Sequence, residues 1–157
     1  MNDNSSLAAG AGIASIFLIV ALVVVAVMLL PMIFYLLTLQ KTLNRCAPEN
    51  RAMQPCMVWL MLIPLFNLVW HFMVVINISK SLEAEFQKRG IAEEPEPGKK
   101  IGMIMCILAC CSIIPILGVL CSIGALVCWI LYWVKVAGFS AKLALPVAPT
   151  APTAPVA

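Results

Sequence analysis

His71, the single histidine of the chain, shares the uncharged apolar stretch Met57–Ile78 with Asn67 and Asn77, and Pro64 breaks that stretch. Asn67 and His71 are four residues apart, so on a helix their side chains stack on one face. Trp70 and Asn77 fall within the same ~120° arc. Polar groups at membrane depth are expensive, usually face a bundle interior, and often mark a path for ions or protons. A histidine titrating near neutrality can sense or relay protons. The structural alternative is that these side chains hydrogen-bond to neighbouring helices, or to backbone freed by the proline.

Cys106, Cys110 and Cys111 sit on one turn. Three thiols could hold a soft metal, but no second ligand set lies near them and His71 is the only nitrogen donor. Core packing is the expected role, and neither a metal nor another cofactor is expected. Five of the 7 cysteines (Cys106, Cys110, Cys111, Cys121, Cys128) lie in apolar runs, which is not a secreted disulfide framework. Cys46 and Cys56 lie beside the membrane, where reversible S-acylation is chemically open to them. There is no paired carboxylate within an apolar run, phosphate-binding glycine loop, H-E-x-x-H or nucleophile elbow. Apart from Asp3 and Glu49, the acids are confined to residues 83–96. The chain is therefore expected not to be an enzyme. Its net charge of +3 comes without the basic stripe that a nucleic-acid partner needs.

The elements that carry these residues follow from composition. Hydrophobic residues make up 63% of the 157 and charged ones 11%, far from a soluble domain. A chain this short cannot bury such runs by itself. The expected fold is all-α, an integral membrane bundle of four apolar segments: Gly10–Leu37, Met57–Ile78, Ile101–Ile114 and Val119–Val136. Residues 1–145 form one membrane-embedded domain, and the tail 146–157, rich in Pro, Ala and Thr, is expected to be disordered. Chance in a biased composition explains the two PTAP tetrapeptides there. The first segment would be roughly 42 Å long as a helix, too long and without the basic start of a signal peptide. Pro31 inside it and Pro64 in the second are expected hinges. Gly10, Gly12 and Ala14 allow close helix approach.

Ser79–Gly90 is expected to continue the second segment as a polar helix, with Leu82 and Phe86 on one face and Glu83, Glu85, Lys88 and Arg89 on the rest. Gly90 is its natural stop. Residues 93–100 form a proline-rich loop ending at the boundary pair Lys99–Lys100. Pro115–Gly118 joins the last two segments in a tight hairpin. Trp129, Tyr132 and Trp133 precede a snorkelling Lys135 that ends the last span.

Two topologies remain. Four full crossings would place seven basic residues (Lys80, Lys88, Arg89, Lys99, Lys100, Lys135, Lys142) on the side of the N-terminus, opposite Lys41, Arg45 and Arg51. If Met57–Ile78 instead re-enters, turning at Pro64–Asn67, all 10 are cytoplasmic and the N-terminus is outside. The charge distribution favours re-entry, with Asn67 capping the second arm. The objection is that non-helical backbone at depth needs protein or water to satisfy it.

The block NRAMQPCMVWLMLIPLFNLVWHFMVVINISKSLEAEFQKRG, with GALVCWILYWVKVAGFSAKL, resembles a family of small bacterial multi-pass membrane proteins of unknown function. The resemblance implies a bacterial inner-membrane protein and no particular chemistry. The expected role is a non-enzymatic interaction or scaffold module in contact with the lipid bilayer and with copies of itself or a partner membrane protein. The alternative is an oligomeric channel or transporter subunit with a path near Pro64, Asn67 and His71.

Overall fold

The computed structural model describes residues 3–115 and 117–145, without the side chains of 3–11 and of Pro64. The tail 146–157 expected to be disordered lies outside the described residues. Among those described, the chain is all-helical. Three helices are long and apolar enough to cross a membrane, over Gly12–Arg45, Leu65–Arg89 and Gly118–Leu143.

The chain divides into two compact units, Met1–Leu36 and Leu37–Ala157. Helix α1, Asp3–Arg45, begins in the first and ends in the second, and passes through Pro31 without stopping. Its run of Leu, Val, Ile, Ala and Met suits a solvent in which every backbone polar group must be paired internally. Within the first unit, α1 is apolar and Ile13 to Leu30 are exposed.

The second unit follows α1 with a short 3-10 turn, Pro48–Asn50, and an eight-residue 3-10 helix, Pro55–Leu62. Helix α2 spans Pro64–Arg89, α3 Lys99–Cys111 and α4 Gly118–Leu143. Only Ile63, at φ −82° and ψ 111°, separates the 3-10 helix from α2. The turn is thus one residue rather than the expected Pro64–Asn67. Pro64 opens α2, where its missing N–H would have no intrahelical partner in any case. The Ile63 N–H donates to the Leu60 carbonyl at 3.2 Å, and its own carbonyl accepts from the Asn67 N–H at 2.8 Å.

Two bonds lay the 3-10 helix along α2 in the opposite direction. Trp70 Nε1 donates to the Met57 carbonyl at 2.9 Å, and the Ala52 N–H donates to Ser81 Oγ at 2.8 Å. The segments before and after this hairpin, 47–52 and 81–85, therefore lie side by side.

Helix α3 packs on α2 and α4. Gly102 makes the three-way contact possible: a Cβ there would stand 2.5 Å from Val75 Cγ1 and 3.0 Å from Tyr132 Cε2. At 13 residues α3 is shorter than the expected Ile101–Ile114, because the chain leaves the helix at Ser112 to turn. Gly118 stands where a Cβ would lie 2.7 Å from the Ser112 carbonyl oxygen. In turn, α4 outruns the expected Val119–Val136 by seven residues. Its extra turns are not a surface extension: Phe139, Ser140 and Leu143 are buried, and Phe139 meets the Phe86 ring edge-on at 5.7 Å. Lys135 consequently lies within the helix and does not end it.

The core gathers toward the polar end of this unit, around Leu39, Leu43, Ile78, Leu82, Phe86, Tyr132 and Val136. Away from it the apolar side chains face outward, with Val119 at 75% and Leu65 at 93% exposure. An outward-facing aliphatic surface is what a lipid solvent requires and water penalises.

Candidate functional site

Asn67, His71 and Asn77 all lie on α2, spread along about 15 Å of helix rise. They do not converge on one point. Asn67 is not the expected cap. Helix α2 starts at Pro64, its N-cap is Ile63 without a side-chain cap bond, and Asn67 is already the fourth helical residue. Its Oδ1 is buried with no hydrogen-bond partner. Phe66 and Trp70 stack at 5.1 Å beside it. At the other end, the Asn77 carbonyl accepts from Ser81 Oγ at 2.8 Å, the same hydroxyl that receives the Ala52 N–H. Asn77 thus belongs to the polar end of the unit rather than to a site with Asn67.

That polar end holds the strongest constellation in the second unit, built on Glu85. Its Oε2 accepts from the Ala47 N–H at 2.8 Å and Asn50 Nδ2 at 2.7 Å, and its Oε1 accepts from Arg89 Nε at 2.7 Å. The remaining Arg89 nitrogens donate to the Leu143 carbonyl at 3.0 Å and the Arg45 carbonyl at 3.2 Å. Arg45 Nη1 donates to the Ser140 carbonyl and to Ser140 Oγ. The C-terminal ends of α1, α2 and α4 are thereby drawn together around one buried carboxylate and two guanidinium groups. Cations at helix C-termini are favourable, because the last carbonyls are unpaired and the dipole is negative there.

Sequence reasoning put Glu85 on the solvent face. The signal that locates it was present: Leu82, Glu85, Phe86 and Arg89 are spaced i, i+3, i+4 and i+7, the buried stripe of a helix. The Leu82–Phe86 face and the Gly90 stop are as expected; Gly90 has φ 66°, and the Ile91 N–H reaches back to the Phe86 carbonyl at 2.9 Å.

Around this node four further carboxylates are paired. Glu49 meets Lys88, Glu93 meets Lys142, Glu94 meets Lys135 and Glu96 meets Lys99. Glu94 also accepts from the Gly98 N–H at 3.2 Å. Lys99 and Lys100 open α3 against its dipole, and these acids offset that misplacement. The Lys135 ammonium and then the Gly98 amide hold the Glu94 carboxyl below its ordinary 4.5. A depressed carboxylate contributes stability above its unfolded pKa that is lost as pH falls through the folded value. Protection of the Gly98 amide against hydrogen exchange is expected to drop as the pH is taken below about 4.5, and to be pH-independent in Glu94→Gln.

All 7 cysteines are free thiols. Cys46 is buried, and its thiol bonds the Thr42 carbonyl at 3.5 Å. Burial, reinforced by the Glu85 carboxylate and opposed by Arg51 and Arg89, pushes it up to about 11. Cys56 is exposed at the head of the 3-10 helix. A membrane-permeant maleimide at neutral pH is expected to modify Cys56 well ahead of Cys46, because the thiolate is the nucleophile. Comparable rates would contradict the burial of Cys46. No group of three His, Cys, Asp or Glu side chains suited to a metal occurs among the described residues.

No protein-family model matches the chain, and comparison with curated proteins and with solved structures finds no match for it.

Proposed function

We propose that the chain is a non-enzymatic, multi-pass membrane protein of the bacterial inner membrane that associates through its apolar helices with copies of itself or with a partner membrane protein. The observation that carries this reading is the state of the first unit, a helix whose apolar residues Ile13 to Leu30 are all exposed. Gly12, where a Cβ would meet nothing within 4 Å, leaves room for a second helix to approach. The carboxylates of residues 85–96 and Glu49 are engaged in ion pairs, which suits structural roles better than acid–base chemistry.

The proposed topology has the N-terminus outside, Met57–Ile78 as a re-entrant hairpin, and all 10 basic residues in the cytoplasm. The bonds between 47–52 and 81–85 support it, since segments joined in this way share one side of a membrane. So do lengths. The 3-10 helix is about 16 Å long, and the apolar part of α2, from Pro64 to Ile78, about 22 Å. Both are short of a ~30 Å hydrocarbon core.

Association is tested by mixing two fluorescently labelled populations of the full chain in liposomes. Energy transfer above the dilution baseline is expected, with its loss when Gly12–Leu30 is replaced by an all-leucine helix. No transfer, together with no membrane protein that co-purifies with the native chain but not with the leucine variant, overturns the reading. The second reading, a channel or transporter subunit assembled from several copies, draws on the buried Oδ1 of Asn67, which has no partner. Solute flux through liposomes that disappears in His71→Ala would favour it.

A further inference from the structure

We propose that the groove between the Cys46–Gln54 loop and the head of the 3-10 helix binds one anionic phospholipid, with its phosphate at Arg51 and an acyl chain along Met57. The site rests on the membrane placement proposed above.

The groove has a volume of about 470 Å³, and its walls include Arg51, Ala52, Gln54, Pro55 and Met57. Two hydrogen bonds fix its level. The Ala52 N–H is bonded to Ser81, just past the last apolar residues of α2, so the mouth lies at head-group height. The Met57 carbonyl is bonded to the side chain of Trp70, which lies eleven residues earlier on α2 within its apolar part. A groove that is cationic at the head-group level and apolar toward the hydrocarbon fits an amphiphile. A free anion would leave the apolar end unused.

Arg51 is built for the head group. Its Nε donates to the Cys46 carbonyl at 2.9 Å and its Nη2 to the Asn44 carbonyl at 3.0 Å. The guanidinium is thus held in place, and Nη1 is left uncommitted among the described residues. A cation oriented beforehand loses little freedom on binding, and arginine suits a phosphate's oxygens. Of the anions nearest in the chain, Glu85 is bonded to Arg89, and Glu49, which also lies within the field of Arg51, is ion-paired with Lys88. Lys41, exposed one turn before Asn44 and in no ion pair among the described residues, adds positive charge.

The test is native mass spectrometry of the full chain in a mild non-ionic detergent, offered phosphatidylglycerol and phosphatidylcholine of identical acyl chains. Phosphatidylglycerol should be retained about tenfold over phosphatidylcholine, the effect of one charge-assisted contact. Arg51→Gln is expected to abolish the preference, and Met57→Trp, which fills the apolar end and leaves Arg51 alone, to weaken retention of both lipids. Lys80→Gln, at the same height outside the groove, should change neither. Equal preference in Arg51→Gln and the native chain overturns the site. So does an equal loss in Lys80→Gln, which would mean diffuse surface charge, and so does displacement of the lipid by millimolar inorganic phosphate. If Arg51→Gln does not fold, Met57→Trp decides, and undiminished retention there overturns the proposal. Retention is read on single chains. Its failure with energy transfer intact therefore removes only this site, and the reverse outcome removes only the association reading.

Discussion

Glu85→Ala is expected to destabilise the second unit by about 3 kcal/mol, the order of the cost of breaking a buried charge pair from one side. The Glu85 side chain is only 4% exposed and the Arg89 side chain 17%, so water replaces little of what is lost. Removal of the carboxylate orphans the Ala47 N–H, the Asn50 amide and Arg89 Nε together. A buried donor without a partner costs ~1–3 kcal/mol by itself. Glu85→Gln keeps an acceptor for Ala47 and forfeits the charge that Arg89 needs, so it should fall between the two. Glu83→Ala, one turn face away and half-buried, is the control and should stay within about 0.5 kcal/mol. Reversible unfolding in mixed micelles, followed by tryptophan fluorescence, gives the order; equal stability of the Glu85 and Glu83 variants would mean that the node holds nothing together.

The second large effect is expected at Gly102. Glycine to alanine in an open helix normally gains ~0.5–1 kcal/mol, and Gly138, with nothing within 4 Å of its Cβ position, should behave so. At Gly102 the added methyl would meet Val75 Cγ1 at 2.5 Å. Valine cannot swing aside as a lysine end could, so α3 must move from α2, at an overpacking cost of ~1–3 kcal/mol. Gly102→Val, branched at the same point, should exceed this. Val75→Ala in the same chain removes the opposing atom and should recover most of the loss, giving a coupling energy of ~0.5–3 kcal/mol in a double-mutant cycle. Simple additivity of the two changes would show that the three helices do not meet there.

The all-α class and the presence of long apolar helices were legible in the sequence because they depend on long runs, which one residue cannot disguise. The Gly90 stop was legible for a similar reason, since a single residue type there meets a single backbone need. What escaped depended on pairs far apart in the chain. Nothing local to Glu85 states that Ala47 and Asn50 stand opposite, and charge alone assigns it to water. The sequence pattern ends the last segment at Val136 because a lysine after aromatic residues usually marks the end of a span, whereas Glu94, forty-one residues before Lys135, meets it with the helix intact. A turn at Pro64–Asn67 makes Asn67 the natural cap of the second arm, whereas the break falls at Ile63, before the proline, and leaves Asn67 inside α2.

Topology is tested most directly by single cysteines at Glu49 and Glu94 in a cysteine-free chain, with a third at Ser5 as the marker of the N-terminus. Glu49 and Glu94 are well exposed, at 59% and 45%, so burial does not mask them. With an impermeant maleimide on intact cells, Ser5→Cys should be labelled, while Glu49→Cys and Glu94→Cys are both protected until the cells are permeabilised. Labelling of one of the two loop positions and not the other in intact cells would mean that Met57–Ile78 crosses the membrane, and would contradict the re-entrant hairpin.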